Sequence, residues 1–249
     1  MAGTAVRGRL TWQTATVSSL TDETPTVRTI TLDVPGWAGH QAGQHLDVRL
    51  TADDGYQAER EYSIASAPGE PLAITVERLE DGEVSPYLTQ DLQPGDEIEL
   101  RGPVGGYFIW DPSMDGATPV LLAAGGSGVV PLRAMLRYRA RTGSSAPMRL
   151  LYSVRSLADV IYRSELDAEP DGVQVTYTLT RKQPPGWTGY ARRVDQQMVA
   201  EVAWPVAQAP LVYVCGPTNF VEAVAADLVA LGYPPLRVKT ERFGASGTK

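Results

Sequence analysis

The sequence predicts a β + α/β chain, in which an antiparallel β domain precedes a parallel α/β domain. In about the first 110 residues, short segments of alternating apolar and polar side chains are separated by glycine-containing turns, which is typical of a small barrel or sandwich. From Pro119 onward, continuous apolar segments alternate with segments of helical periodicity, which predicts a parallel sheet with crossovers. Because a polar, turn-rich segment at residues 111–116 separates the two patterns, we expect domains at residues 1–111 and 117–249.

The first domain is expected to be all-β apart from one short helix. Strands are predicted at residues 14–18, 27–34, 45–50, 61–66, 72–79 and 97–101. The helix is predicted at residues 85–92, where Ser85 fits the N-cap and Pro86 the first helical position.

The second domain alternates strands with helices. Strands are predicted at residues 119–124, 148–154, 173–180, 211–215 and 236–240. One helix opens after a glycine-rich loop and carries Leu132, Met135 and Leu136 on one face, and two more are expected at residues 159–166 and 219–231. In such a sheet the ligand lies at the carboxyl ends of the strands.

Composition excludes several classes of protein. The 249 residues suffice for two domains, and 43% hydrophobic with 20% charged residues is typical of a globular protein. A net charge of −7 argues against a general nucleic-acid or anionic-membrane binder. No apolar segment approaches the ~18 residues of a membrane span, and residues 1–12 lack the apolar core of a secretory signal, so we expect a cytoplasmic protein.

The scarcity of cysteine and histidine limits the chemistry. One cysteine forms no internal disulfide and cannot ligate an iron–sulfur cluster. The two histidines, His40 and His45, are not near the motifs described below in the sequence, so we expect neither a histidine-centred triad nor a metal site.

The segment Arg60-Glu61-Tyr62-Ser63 is the first candidate binding motif. Strand alternation puts Arg60 and Tyr62 on one face and Glu61 and Ser63 on the other. An aromatic plane can pack against a flavin or its ribityl chain, a guanidinium can bind phosphate, and the hydroxyl of Ser63 can bond near the flavin N5. An ordinary strand with a surface arginine is the alternative.

A second candidate motif, Gly82-Glu83-Val84-Ser85, begins the short helix. Exposed N–H groups at a helix start bind anions, and the hydroxyl of Ser85 adds a donor, so this segment can hold a flavin pyrophosphate. Arg78 lies just upstream and can assist. A plain capped helix and a solvated arginine are the alternatives.

The loop Gly125-Gly126-Ser127-Gly128 lies between a strand and a helix, the right context for a dinucleotide pyrophosphate, although the spacing departs from G-x-G-x-x-G. The acidic residue that binds a ribose 2′-hydroxyl is missing after the next strand. Ser153 and Arg155 stand there instead and suit a 2′-phosphate, with Arg181 completing the clamp. This favours NADP over NAD, unless both arginines are merely surface residues.

Two segments near the C-terminus complete the set. Cys215-Gly216-Pro217 ends an apolar strand, which puts the thiol near the reacting rings or makes it a buried core cysteine. Phe243, in Glu241-Arg242-Phe243-Gly244, either shields a flavin face or covers the sheet edge.

Together these residues resemble the ferredoxin–NADP reductase superfamily, in particular bacterial stand-alone reductases related to oxygenase reductase components. The resemblance extends from about Gln13 to Phe243. It is carried by the motifs above together with Gly102-Pro103-Val104-Gly105 and Pro131. It implies a six-stranded antiparallel barrel for FAD and a Rossmann-like nucleotide domain.

The resemblance also implies roles for individual residues. Those expected to bind flavin are Arg60, Tyr62, Ser63, Val76, Glu77, Arg78, Gly82, Val84, Ser85 and Phe243. The loop and strand-end residues described above are expected, from their own pattern, to bind NADP, with NAD as the alternative: Gly125, Gly126, Ser127, Gly128, Ser153, Arg155, Arg181, Cys215, Gly216 and Pro217. Ser63, Cys215 and Glu241 are expected at the reacting atoms. The chain departs from oxygenase reductases in lacking the cysteines of a [2Fe–2S] domain and in continuing past Phe243.

The leading functional prediction is an FAD-dependent NAD(P)H oxidoreductase. It transfers a hydride to flavin and then single electrons to a separate acceptor, which can be ferredoxin, flavodoxin, or a haem or molybdenum protein. The alternatives are a flavin reductase that releases reduced flavin and a non-catalytic flavin-holding subunit. Arg133 and Arg137, one turn apart, either meet an acidic partner or form a solvated helix face.

Overall fold

The computed structural model describes residues 10–168 and 172–243. The predictions for the extreme N-terminus, for Gly244 and for the extension after Phe243 therefore fall outside the described residues, apart from residues 10–12.

The first domain is a six-stranded antiparallel sheet, as predicted. Its strands are β1 (Gln13–Thr24), β2 (Val27–Asp33), β3 (His45–Thr51), β4 (Gln57–Ser63), β5 (Leu72–Glu77) and β6 (Glu97–Val104). They are ordered β4-β3-β6-β1-β2-β5, and a bridge between Ile64 and Ile74 joins the two edges into a barrel. Within the described residues this bridge and the adjacent bond from Ala65 N to Ala73 O join β4 to β5, so the seam between these strands stays largely unpaired.

Alternating apolar side chains fill the barrel. In β2, Ile30 and Leu32 are buried, while Thr29 and Thr31, which alternate with them, are only partly covered. Burying such aliphatic side chains stabilises the barrel by roughly 1.5–3 kcal/mol each. The alternating apolar residues that predicted the strands therefore also form the core of the barrel.

Several strand boundaries, most of all those of β1 and β4, and the helix cap differ from the prediction. β1 runs on to Thr24 and β4 begins at Gln57, because their polar outer residues pair along hairpins that hydrophobic alternation does not reveal. The short helix is a π-helical turn, Tyr87–Asp91, entered from Pro86. The predicted cap by Ser85 is wrong, because its Oγ instead accepts a hydrogen bond from Leu79 N at 3.0 Å.

The second domain is a five-stranded parallel sheet with helices around it, also as predicted. Its strands are β7 (Val120–Gly125), β8 (Met148–Val154), β9 (Val173–Leu179), β10 (Leu211–Pro217) and β11 (Val238–Phe243), ordered β11-β10-β7-β8-β9. Its helices are α1 (Pro112–Asp115), α2 (Val129–Thr142), α3 (Arg163–Asp167), α4 (Gln196–Val202) and α5 (Thr218–Ala230). The strand order reverses between β7 and β10, which makes their carboxyl ends the expected ligand position.

Three helical segments depart from the prediction. The segment at residues 111–116 contains α1, because Asp111 accepts a bond from Ser113 N and Pro112 suits the first turn. The helix predicted at 159–166 is interrupted at Tyr162, whose φ of 59° is left-handed, and only α3 follows it. The sequence analysis missed α4, although Asp195 caps it by accepting from Met198 N.

The two domains meet across a buried polar contact. The guanidinium of Arg133, on α2, donates to Ala65 O at 3.1 Å and to Glu165 at 2.8 Å, and it stacks over the Tyr162 ring at 4.2 Å. Tyr162 donates in turn to Thr75 of β5 at 2.5 Å. Burial opposes ionisation of Glu165, but the neighbouring guanidiniums of Arg137 and Arg133 hold its pKa below the usual value. Arg133 and Arg137 are therefore interface residues and form neither a partner surface nor a solvated face.

Membrane-spanning helices and metal-binding clusters are both absent from the described residues. None of their helices is long and apolar enough to cross a membrane. No group of three or more His, Cys, Asp or Glu side chains among them is arranged to hold a metal ion.

Candidate active site

The predicted nucleotide loop and the cysteine segment meet at the carboxyl ends of β7 and β10. Ala124 is the register partner of Cys215, so the glycine loop and Gly216 leave the sheet side by side. A Cβ on Gly128 would lie 2.1 Å from Cys215 O, and one on Gly125 would lie 2.8 Å from the Phe220 ring. Glycine is required at position 128 because the backbones of the two loops are in contact there, and at position 125 because the Phe220 ring packs directly on the main chain.

Gly126 has a different reason to be glycine. Its φ is 54°, a left-handed conformation, and a Cβ there would meet no atom within 4 Å. The neighbouring Ser127 is partly exposed, and Gly126 to Gly128 form a 3₁₀ turn that leads into α2. The loop therefore presents open backbone to a ligand beside the start of a helix, as a pyrophosphate requires.

Cys215 is fully buried next to the predicted reacting atoms. Burial and then the nearby charge of Glu241 raise the pKa of its thiol well above the usual value. A neutral thiol is a poor nucleophile. The side chain therefore contributes shape and packing rather than covalent chemistry.

Glu241 is the register partner of Cys215 on the neighbouring strand β11. Its Oε1 lies 3.6 Å from Nδ1 of His45, which belongs to the barrel strand β3. Its other oxygen, Oε2, is buried and has no hydrogen-bond partner in the described part of the chain. An orphaned buried carboxylate oxygen is costly unless a ligand or water satisfies it.

His45 is a site residue that the sequence analysis missed. It is the register partner of Ser63 on β4, so it joins the first motif to Glu241. The expectation that neither histidine lies near the motifs is wrong for His45, because 196 positions of sequence separate two residues that the domain arrangement brings together. Its alternating strand position gives no sequence signal of this contact.

The first motif occupies the end of β4, where Tyr62 is half-buried against the barrel core. Burial raises the pKa of its hydroxyl well above the usual value. Arg60 donates to Glu83 at 2.5 Å, and Tyr56 donates to the same carboxylate at 2.8 Å. Arg60 and the second motif are therefore adjacent in space, and their contact lies beside the barrel seam.

The second motif is compact around Ser85. A Cβ on Gly82 would lie 2.8 Å from Ser85 Oγ, and the side chain of Val84 is buried in the barrel core. Val76 is fully buried in the same core, so only its backbone can face a ligand. Glu77 is half-buried at the end of the same strand, and Arg78 bonds Glu80 at 3.0 Å.

The predicted 2′-phosphate residues cluster at the carboxyl ends of β8 and β9. Arg155 O accepts from the backbone N of Arg181 at 2.9 Å and of Lys182 at 3.0 Å, so three cationic residues are adjacent. All three are exposed, and Ser153 is half-buried at the end of β8. Lys182 was not singled out from the sequence, but it directly follows Arg181.

Phe243 is the register partner of Pro217 and packs, half-buried, against the core that the domains share. It therefore lies beside the cysteine loop at the edge of the sheet.

Comparison with known proteins assigns the family. Residues 14–109 match the model described as an oxidoreductase FAD-binding domain, and residues 122–226 match the model described as an oxidoreductase NAD-binding domain. The ferredoxin–NADP reductase B of Sorangium cellulosum is 37% identical over 213 residues, which is 82% of this chain and 85% of that protein. The chain belongs to the ferredoxin–NADP reductase superfamily. The prediction of an FAD-binding barrel before an NAD(P)-binding domain is thus confirmed.

Two other similar proteins are a longer reductase subunit and a domain of nearly the same length as this chain. The glycine betaine monooxygenase reductase subunit of Chromohalobacter salexigens is 33% identical over 234 residues, or 90% of this chain, and the chain spans 62% of that protein. The flavohaem-like FAD/NAD-binding domain of the Vibrio cholerae nitric oxide dioxygenase superposes with a TM-score of 0.83 at 25% identity, covering 94% of this chain and 99% of that domain.

The site residues fit the two cofactors of the superfamily. Gly126 leaves open space beside the backbone, and Oε2 of Glu241 is a buried acceptor with no donor among the described residues. Tyr62 offers a half-buried aromatic ring, and Ser63 a hydroxyl in the register position opposite His45. Together they supply the stacking, bonding and anion-binding groups that a flavin and a nicotinamide nucleotide require.

Proposed function

We propose that this chain is an FAD-dependent NAD(P)H oxidoreductase that passes electrons to a separate acceptor. The observation that carries the proposal is the contact between Glu241 of the nucleotide domain and His45 of the barrel, beside Cys215 and Ser63. Residues from both domains thus surround one small region, where two rings can meet. A bound flavin supplies the chemistry, since it accepts a hydride and releases electrons one at a time.

The flavin is held by the seam-side residues of the barrel. Tyr62 supplies the aromatic plane, and Ser63 supplies the hydroxyl near N5. Arg60 supplies the charge for the phosphates, which would replace Glu83 as the partner of its guanidinium. Gly82, Ser85 and Arg78 lie on the phosphate side, and Val76 and Glu77 contribute backbone. Phe243 covers the ring from the nucleotide domain.

The nicotinamide nucleotide is held by the second domain. The open backbone of Gly125 to Gly128 receives the pyrophosphate, while Gly216 and Pro217 let the ring approach Cys215. The 2′-phosphate is bound by Ser153, Arg155 and Arg181. This favours NADPH over NADH, because the two guanidiniums can form ion pairs with a phosphate but not with a neutral 2′-hydroxyl. Hydride transfer then depends on juxtaposition of the two rings.

The electron acceptor is a separate redox protein, such as a ferredoxin, a flavodoxin or a haem or molybdenum protein. Relatives named as a monooxygenase reductase subunit and as a ferredoxin–NADP reductase support this. The single cysteine among these 249 residues cannot by itself supply the ligands of an iron–sulfur cluster.

Anaerobic mixing of the purified protein with NADPH or NADH tests the proposal. We expect a yellow protein whose flavin absorbance bleaches faster with NADPH. Retention of the flavin through gel filtration after reduction separates this function from a flavin reductase that releases its product. A protein that takes up neither FAD nor FMN supplied in excess would refute the proposal.

A further inference from the structure

We propose that His45 is a positioning residue that fixes the carboxylate of Glu241 at the place where the nicotinamide ring meets the flavin. The inference rests on the proposed function and adds to it a residue of the barrel that acts on the nucleotide side. The contact crosses the domain boundary, so it also holds the two half-sites in one arrangement.

The geometry links four residues in series. Cys215 and Glu241 are register partners on β10 and β11, Oε1 of Glu241 lies 3.6 Å from Nδ1 of His45, and His45 is the register partner of Ser63. The side chains of His45 and Glu241 are 19% and 23% exposed, so water covers little of the pair. One Glu241 oxygen is thus occupied by the barrel, and the buried Oε2 has no partner within the described residues.

Gly105 leaves room for the imidazole of His45. A Cβ on Gly105, which follows β6, would lie 3.3 Å from Nδ1 of His45, and Gly105 has a φ of 96°. A side chain there would press on the ring, so glycine leaves it room to face Glu241.

Three carboxylates act on His45, each from a different strand. Its contact with Glu241 of β11 raises its pKa most, burial opposes this, and the charges of Glu61 of β4 and Asp47 of β3 raise it further. Asp47 is bound to Arg101 at 2.7 Å, and Glu61 is exposed, so Glu241 is the partner that matters. A raised folded pKa means that the ion pair is complete below the ordinary value of 6.5 and is lost as pH rises through the folded pKa.

The chain offers a direct test because it has only two histidines. In the holoprotein labelled at histidine, two imidazole resonances are titrated by NMR, and His40→Gln assigns them. We expect the His45 resonance to titrate above 6.5 and its midpoint to fall in Glu241→Gln, while His40, whose pKa burial lowers, does not shift. An unchanged His45 midpoint in Glu241→Gln would overturn the proposal.

The second readout is the pH dependence of nucleotide use. In the wild type, KM for the nicotinamide nucleotide should rise as pH passes the His45 midpoint. In His45→Gln it should be raised roughly two- to fivefold at low pH and lose that dependence, since a partly exposed ion pair contributes about this much. His40→Gln is the matched control and should keep the wild-type profile, because His40 bonds Ser66 O at 3.0 Å and not Glu241.

These measurements separate the two ideas. If NADPH bleaches the flavin but His45→Gln keeps the wild-type pH profile of KM, the positioning role is wrong and the proposed function stands. If no nicotinamide nucleotide bleaches the flavin, the proposed function is wrong, and the role of His45 is wrong with it. Thermal melts of His45→Gln and Glu241→Gln should show that both variants remain folded.

Discussion

Individual side chains at the site owe their chemistry to their surroundings. Burial and the nearby charge of Glu241 keep the thiol of Cys215 protonated, and the buried Oε2 of Glu241 has no hydrogen-bond partner among the described residues. The other oxygen, Oε1, lies 3.6 Å from Nδ1 of His45, which belongs to the other domain. Each residue's role is thus decided by neighbours distant in sequence. The strand pattern therefore indicated Cys215, the family resemblance added Glu241, and neither indicated His45.

Replacing Tyr62 with alanine should weaken flavin retention. The ring packs half-buried against the barrel core, and its loss removes the aromatic plane proposed to face the flavin. The measure is the ratio of flavin to protein absorbance after gel filtration, which should fall severalfold. Tyr62→Phe keeps the plane and should retain flavin. Equal retention by the alanine variant would count against the assignment.

Replacing Arg155 with alanine should raise KM for NADPH about tenfold while leaving KM for NADH nearly unchanged. A charged hydrogen bond to phosphate contributes about 1.5–3 kcal/mol, and only NADPH carries the 2′-phosphate. Steady-state kinetics with both nucleotides measures the difference. Arg163→Ala removes an exposed arginine that pairs with Asp167 and should affect neither. Equal effects of Arg155→Ala on the two nucleotides would remove its assigned role.

At the scale of elements, close packing of loops fixes the site. The glycine loop between β7 and α2 touches the backbone at Cys215, and the Phe220 ring covers Gly125 and Gly216. These contacts hold the carboxyl ends of β7 and β10 at one separation. Strand-to-loop-to-helix order predicted the position of this loop, but not its contact with the cysteine segment.

Gly128→Ala should destabilise the protein and impair nucleotide binding. Its Cβ would lie 2.1 Å from Cys215 O, and a backbone atom cannot yield as a flexible side chain can. We expect a loss of at least about 2 kcal/mol, or a melting temperature lower by several degrees. Gly106→Ala is the matched control, because its Cβ would meet nothing within 4 Å. Equal melting temperatures for the two variants would contradict the packing argument.

Sequence patterns predicted most elements but not all of their limits. Every strand was found, since burial follows alternation in the barrel and continuous apolar segments in the parallel sheet. The limits of β4 were missed because an edge strand with polar residues on both faces lacks that contrast. The interruption at Tyr162 was missed because its left-handed backbone is held by a tertiary bond to Thr75.

At the scale of the molecule, the interface between the domains determines the site. Arg133 is bound to both domains, and its side chain is 8% exposed. The periodicity of α2 predicted its helix, but the partner of its arginines depends on where the barrel packs. The order of the two domains was therefore predictable, and their contact was not.

Arg133→Met should destabilise the protein by about 2–3 kcal/mol. The change removes one partner of buried Glu165 and the donor to Ala65 O, while Arg137 still satisfies part of the carboxylate. Urea unfolding measures the loss. On the same helix Arg141, which is 47% exposed, gives the control Arg141→Met, expected within about 0.5 kcal/mol of wild type. Similar losses in both variants would show that the interface contact contributes little.

The sparse pairing between β4 and β5 has a consequence for divergence among relatives. Among the described residues, most main-chain N–H and C=O groups of β4 and β5 that face this opening are not paired with the opposite strand, and the side chain of Val76 packs in the barrel core. Every residue except proline supplies the same main-chain N–H and C=O groups, so a ligand that hydrogen-bonds to them there does not require a particular side chain. Substitutions along β5 are therefore limited by the packing of the barrel interior. Relatives with very different residues at these positions can bind the same ligand.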